Sequence, residues 1–321
     1  LLCIQTGKKV TDEDRMRYEG GQYYVKSEKE MAALFPYAPQ ALENTKKIGD
    51  RCHVEIEFGV TKLPKYDVPD GYTSWEYLNK LCWEGLEEKY HPVTEELKER
   101  RTYELNTIKT MGYVDYFLIV WDFIKYARDN DIMVGPGRGS AAGSVVAYCL
   151  GITRLDPMKY DLLFERFLNP DRVSLPDIDT DFDDDGRSKV LQWVMEKYGH
   201  ENCAHIITYS TMATKNSLKD VARVEEVSIE RSNALCKAIP DRLPDGMKLN
   251  LTNAIKCTPE LMEAENSSDI RERNTIKYAR MLEGTVRGLG IHACGFIICR
   301  DPIYEHVPVS TADDPDFPNI K

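Results

Sequence analysis

The chain has 321 residues, 42% hydrophobic and 30% charged, the balance of an ordinary globular protein with two or three domains. Its net charge of −11 excludes a generally basic nucleic-acid binder, so any contact with nucleic acid must use local basic patches. No apolar run approaches the roughly 20 residues of a membrane span, no signal peptide is visible, and the cysteines form no C-x-x-C pair, so a cytoplasmic protein with reduced thiols, no structural zinc and no membrane contact is expected.

Residues 1–8 read as the end of an element from an upstream domain. With no methionine at the start, the chain is expected to be part of a longer protein. Residues 9–70 are irregular and polar. Within them, Ser27 and Glu30 have the spacing of a capping box, in which a hydroxyl and a carboxylate satisfy two orphan amides reciprocally. Residues 39–50 fit a short second helix, and 62–72, rich in Pro, Gly and Asp, fit a loop. Over 74–111 the steps of Trp75, Leu78, Leu81 and Cys82, then Leu97, Leu105 and Ile108, predict helix, with 98–101 as a solvated charged face. Residues 116–128 predict an amphipathic helix with Phe117, Val120, Trp121, Ile124 and Ala127 on its core side.

Glycines and a proline break the pattern over 133–143, and 143–150 fits a helix of small residues. Residues 160–168 fit a helix packing Leu162, Leu163 and Phe167. Residues 173–182 look extended, 188–198 helical, and 204–209 like a short apolar strand. Residues 211–285 read as helices broken by Pro240, Pro244 and Gly246, and 295–299 as a buried strand. The expected fold class is α/β, a framework interrupted by an all-helical module.

The strongest chemical feature is Pro176-Asp177-Ile178-Asp179-Thr180-Asp181-Phe182. Alternation along a strand would turn the three carboxylates one way and Ile178 and Phe182 the other. Neighbouring like charges repel, and a cation offsets the repulsion. Magnesium takes a few carboxylate oxygens plus substrate phosphates, and paired ions serve in-line phosphoryl transfer. The alternatives are a charged sheet edge and a calcium loop running from Asp181 through Asp183, Asp185 and Gly186. The calcium loop lacks its closing Glu, because that position is Gln192.

Upstream, residues 135–144 form a glycine-rich loop entering a helix. It matches neither a Walker A loop nor a dinucleotide fingerprint. Its glycines allow close backbone approach to phosphate, Arg138 offers a planar charged fork, and Ser140 a hydroxyl. A plain tight turn is the other reading. Arg166, among apolar neighbours, needs either a phosphate or an acid such as Glu165. Lys215, Lys219 and Arg223 share one helical face, which would either track a phosphate backbone or lie solvated. His292, between glycines, is read as packed or turn-stabilising rather than catalytic.

The ordered segments Gly135-Pro136-Gly137-Arg138-Gly139-Ser140, Leu155-Asp156-Pro157, residues 163–170, residues 176–182, Ile206-Ile207-Thr208-Tyr209, Thr211-Met212-Ala213 and Gly290-Ile291-His292-Ala293-Cys294-Gly295 resemble the alpha subunits of bacterial DNA polymerase III, the C-family replicative polymerases. The resemblance implies an α/β (α+β) fold: a polymerase beta-like nucleotidyltransferase palm sheet with helices, interrupted by an all-helical thumb. Residues 1–8 would end a PHP domain, and 9–208 would form the palm with its N-terminal connecting helices. Residues 209–286 would form the thumb, with Lys215, Lys219 and Arg223 as DNA-binding candidates. Residues 287–321 would continue the palm.

It further implies that Asp177 and Asp179 are catalytic aspartates holding two Mg2+ ions, and that Arg138, Gly139, Ser140 and Arg166 bind the nucleotide. The implied activity is template-directed DNA synthesis by a DNA-directed DNA polymerase, with primer-template DNA and dNTPs as substrates. A sliding clamp and other replisome subunits would be partners of the full-length protein. The family's third catalytic aspartate would lie beyond residue 321, so the chain alone is expected not to extend a primer; robust extension by it would overturn that expectation. The rival readings are a nucleotidyltransferase acting on RNA or a small acceptor, and a non-catalytic calcium-binding or nucleic-acid scaffold module.

Overall fold

The structure, a computed structural model, describes residues 1–169 and 176–311. The chain begins with α1 (Leu2–Thr6), α2 (Glu28–Leu34) and α3 (Pro39–Gly49), then α4 (Ser74–Lys89), α5 (Glu95–Thr110) and α6 (Val114–Asp129). After the glycine loop come the short α7 (Val145–Cys149) and α8 (Asp184–Tyr198), then β1 (Cys203–Thr211). Five helices follow, α9 (Thr214–Val224), α10 (Ile229–Ala238), α11 (Leu251–Cys257), α12 (Pro259–Glu265) and α13 (Ile270–Leu282), before β2 (Val286–Ile298). Among the described residues this is a mixed α/β chain whose one sheet is the pair β1–β2. Hydrogen bonds join Met212 to Thr285 at one end and Cys299 to Asn202 at the other, so the strands run antiparallel.

The chain divides into two compact units, one of Leu1–Glu55 with Ile207–His292, the other of Ile56–Ile206 with Ala293–Lys321. The helical module expected over 209–286 falls in the first unit. There Leu218, Leu235, Leu251, Leu261 and Ile276 are fully buried in one cluster, and α1 adds Cys3 and Ile4 to it. The segment after α1 is tied down by the Val10 amide donating to the Val224 carbonyl (3.0 Å) and by Lys9 pairing with Glu226 (2.8 Å). The Ser27–Glu30 capping box forms as its spacing predicts.

In the second unit, Leu78 and Leu86 of α4, Leu105 and Ile108 of α5, and Phe117, Leu118 and Ile124 of α6 form the core. The predicted face of α6 points inward: Phe117, Val120, Ile124 and Ala127 are buried and Trp121 is half-buried. The continuous helical run over 74–111 is two helices, because Pro92 interrupts it and the Thr94 hydroxyl caps α5 by accepting from the Leu97 amide. α4 meets α7 at Gly85, where a Cβ would lie 2.0 Å from the Cys149 carbonyl oxygen. The two backbones can approach this closely only over glycine.

Three element expectations need correction. Residues 160–168 form no α-helix; a short 3-10 turn, Phe164–Arg166, stands there instead. Asp161 takes φ 47°, which ends helical geometry, so Phe164 rather than Leu163 enters the core. The extended strand expected over 173–182 is absent from its described part, residues 176–182, apart from one antiparallel bridge between Val134 and Phe182; residues 173–175 lie outside the described residues. The strand expected over 295–299 begins at Val286 and is largely exposed, because a two-stranded ribbon has too few partners to cover both faces.

Candidate nucleotide and metal site

The glycine loop is placed by the core around it. Gly135 donates its amide to the Asp181 carbonyl (2.8 Å), and Asp183 donates its amide to the Met133 carbonyl (3.1 Å), so the loop and the acidic segment run side by side. Gly137 takes φ 90°, and a Cβ there would lie 2.8 Å from the Thr153 methyl carbon, so both backbone and space demand glycine. Residues Gly139–Gly143 make a 3-10 turn, and Ser144 then caps α7, which starts two residues later than the small-residue pattern suggests.

The acidic segment keeps the alternation that was expected of it even without a strand. Ile178 and Phe182 pack against the core, while Asp177 and Asp181 are exposed and Asp179 is half-buried. Arg138 Nη1 lies 3.1 Å from Asp179 Oδ2, and its Nε lies 3.4 Å from Asp181 Oδ1. A Cβ on Gly139 would lie 3.9 Å from Asp179 Oδ2. The candidate nucleotide loop and the candidate metal carboxylates therefore meet. The Phe164–Arg166 turn lies against Gly139–Gly143, which brings exposed Arg166 to the same region, with no ion-pair partner among the described residues. Glu165 is thus not its partner.

Tyr116 supplies a contact that the sequence reading missed. Its hydroxyl accepts from the Ile178 amide at 3.3 Å. Burial, then the negative charge of Asp177 and Asp179, pushes the phenol up to about 12 from its ordinary 10.0. Below about pH 10 the phenol is neutral both folded and unfolded. Between about pH 10 and 12 only the unfolded chain ionises, so the stability contribution is full below pH 10 and lost as pH rises through 12. Titrating ring-labelled tyrosines by NMR should place Tyr116 near 12, and Asp177→Asn should lower that midpoint; an unmoved midpoint would separate Tyr116 from the carboxylate.

Glu104 is the second missed residue. It lies on the Leu97–Ile108 face of α5 and is wholly buried. An acid in register with apolar residues was the available signal. Its carboxylate accepts from the Ser144 hydroxyl (2.8 Å) and the amides of Val145 and Val146 (3.0 Å each), the start of α7. Arg100 pairs with it at 2.7 Å and donates to the carbonyls of Gly143 and Leu162. The glycine loop thus ends in a fixed anchor.

The calcium-loop reading fails on geometry. α8 begins at Asp184, which puts Asp185, Gly186 and Gln192 inside a helix. Asp183 caps that helix, with its oxygens accepting from the Gly186 and Met133 amides.

In the other unit, the basic face of α9 is partly neutralised. Lys215 pairs with Asp241 (3.0 Å), and Arg223 lies 3.5 Å from Asp220, which Arg287 approaches to 3.0 Å. Lys219 is exposed, with no ion pair among the described residues. His292 is exposed within β2, so it is neither packed nor in a turn.

Among the described residues no group of three or more His, Cys, Asp or Glu could hold a metal by itself. Asp177 and Asp179 nonetheless offer hard oxygen donors, and both charges reach the Tyr116 hydroxyl. That donor set fits a hard divalent ion that takes one or two carboxylates and completes its shell with water and phosphate. No helix among the described residues is long and apolar enough to cross a membrane.

The glycine loop is thus held against an acidic segment, and residues 76–320 match the family described as bacterial DNA polymerase III alpha NTPase domain. The chain belongs to that family. It is 45% identical over 96% of its length to the DNA polymerase III subunit alpha of Borreliella burgdorferi. It is 42% identical over 96% to that of Bacillus subtilis, and 44% identical over 99% to that of Neisseria meningitidis serogroup B. The chain spans only 27% of the length of the first two relatives and 28% of the third.

Proposed function

We propose that this chain supplies part of the nucleotidyl-transfer site of a replicative DNA-directed DNA polymerase. The observation that carries the reading is the approach of Arg138, in the glycine loop, to Asp179 at 3.1 Å, in a chain of this family. One element presents cationic and amide donors suited to phosphate; the other presents carboxylates suited to divalent cations. The substrates would be primer-template DNA and dNTPs, and the reaction would be attack of the primer 3′-hydroxyl on the α-phosphate.

Asp177 and Asp179 would hold two Mg2+ ions, which when bound would activate the attacking hydroxyl and neutralise the leaving pyrophosphate. Arg138 and Arg166 would orient the triphosphate, with the Gly139 amide and Ser140 hydroxyl as further donors. Tyr116, through the Ile178 amide, would fix the backbone between the two aspartates. In this reading residues 9–208 with 287–321 belong to a palm and its N-terminal connecting helices, and 209–286 to a thumb whose exposed Lys219 meets the duplex backbone. Residues 1–8 would close a PHP domain. A sliding clamp and other replisome subunits would bind elsewhere on the full-length cytoplasmic protein.

Arg138→Gln in the full-length protein tests the triphosphate assignment. Losing a charge-assisted hydrogen bond of about 1.5–3 kcal/mol should raise KM for dNTP roughly tenfold or more, with a smaller change in kcat. Steady-state primer extension at varied dNTP reads both, and an unchanged KM would remove Arg138 from the role. Running the assay with ribonucleotides separates a DNA polymerase from a transferase acting on RNA.

A further inference from the structure

A cavity of about 340 Å³ opens in the second unit beside the glycine loop, lined by Lys89, Arg128, Tyr148, Gly151, Thr153 and Arg154. None of these is among the residues assigned above to nucleotide or metal. Three of the six carry positive charge and none carries negative charge. Neither arginine has an acidic partner within 4 Å among the described residues, and the nearest acid to Lys89 is Glu88 at 3.9 Å. Asp156 is engaged elsewhere, accepting from the Tyr90 hydroxyl (2.6 Å) and the Met158 amide (3.0 Å).

The lining also holds polar atoms left over after folding. Thr153 is 1% exposed, and its Oγ1 has no hydrogen-bond partner among the described residues; the buried Nε of Arg128 has none either. Arg128 is held in position by its Nη2 donating to the Gly151 carbonyl at 2.6 Å. Burial, then the charge of Arg154, lowers its proton affinity, and an anion between the two guanidiniums would offset both effects.

We propose that this cavity binds a phosphate group, with Arg128, Arg154 and Lys89 supplying charge. The source is either a free phosphate or pyrophosphate, or a phosphate of a nucleic-acid strand. The Arg154 amide donates to the Pro136 carbonyl at 2.8 Å, and Thr153 packs on Gly137, so an occupant would lie directly behind the glycine loop. The proposal does not rest on the polymerase reading.

The test is calorimetric titration of the full-length protein with inorganic phosphate, with pyrophosphate and with a short single-stranded oligodeoxynucleotide. Arg154→Gln and Lys89→Gln change side chains at the surface or the cavity rim, and neither should disturb the fold. Each should weaken at least one of the probes about tenfold, the effect of one lost charge-assisted hydrogen bond. The probe whose binding both cavity variants weaken identifies the source, a strand phosphate if it is the oligonucleotide and a free one if it is phosphate or pyrophosphate. Binding of no probe, binding indifferent to both cavity variants, or loss in Arg138→Gln alone would overturn the proposal.

Discussion

Replacing Asp177 by asparagine in the full-length protein should leave the fold intact and cut kcat for primer extension by a factor on the order of a thousand or more. Asp177 is exposed and anchors no helix or turn, so its substitution should change stability by no more than about 0.5 kcal/mol. Its proposed chemistry is another matter. Charge stabilisation through a bound cation contributes several kcal/mol to a phosphoryl-transfer barrier, and each ~1.4 kcal/mol is a tenfold change in rate. The loss should fall on kcat far more than on KM for dNTP, because the triphosphate contacts are on the other element. Asp181→Asn is the internal control. Its only ion pair among the described residues is with Arg138 at 3.4 Å, at an exposed position, so less than about tenfold is expected. Near-normal extension by Asp177→Asn, or equal losses in the two variants, would refute the assignment.

Glu104→Ala should destabilise the second unit by about 3–5 kcal/mol. Removing the carboxylate strands the amides of Val145 and Val146 and the Ser144 hydroxyl without a partner, and leaves the Arg100 guanidinium unpaired. Burial pushes the Glu104 carboxyl up, and the four donors around it work against that shift by favouring the ionised form. Glu104→Gln keeps one acceptor and the side-chain volume, and should cost less. Two units make a single melting temperature ambiguous, so amide hydrogen exchange at Val145 and Val146 is the sharper readout. Slow exchange there in Glu104→Ala would show that the start of α7 is held by something else.

Much of the helical architecture was legible because its signals are local. The Ser27–Glu30 box spans three residues, and the Phe117–Ala127 face repeats with the helix itself. What escaped was set by single backbone angles or by distant partners. Asp161 at φ 47° redirects the chain and exchanges Leu163 for Phe164 in the core, and no spacing announces it. The tie between Val10 and Val224, which groups the first residues with the helical module, joins positions more than two hundred residues apart. At the candidate site, residue types pointed to the glycine loop and to Asp177 and Asp179, but not to their meeting through Arg138. Tyr116 read as ordinary helix, because its role depends on an amide that is remote in sequence.

The contact at Gly85 gives that remoteness a genetic meaning. α4 and α7 touch where not even a methyl group fits, so the pair behaves as one block, and the block starts at Ser144, where the glycine loop ends. A larger residue at 85 would wedge the block apart and move the loop without touching a nucleotide, a metal or DNA. In a screen for replication-defective alleles, position 85 should therefore appear beside Asp177. The two classes would look alike in growth and differ in kind, one having lost a reacting group and the other the place where the substrate is set down.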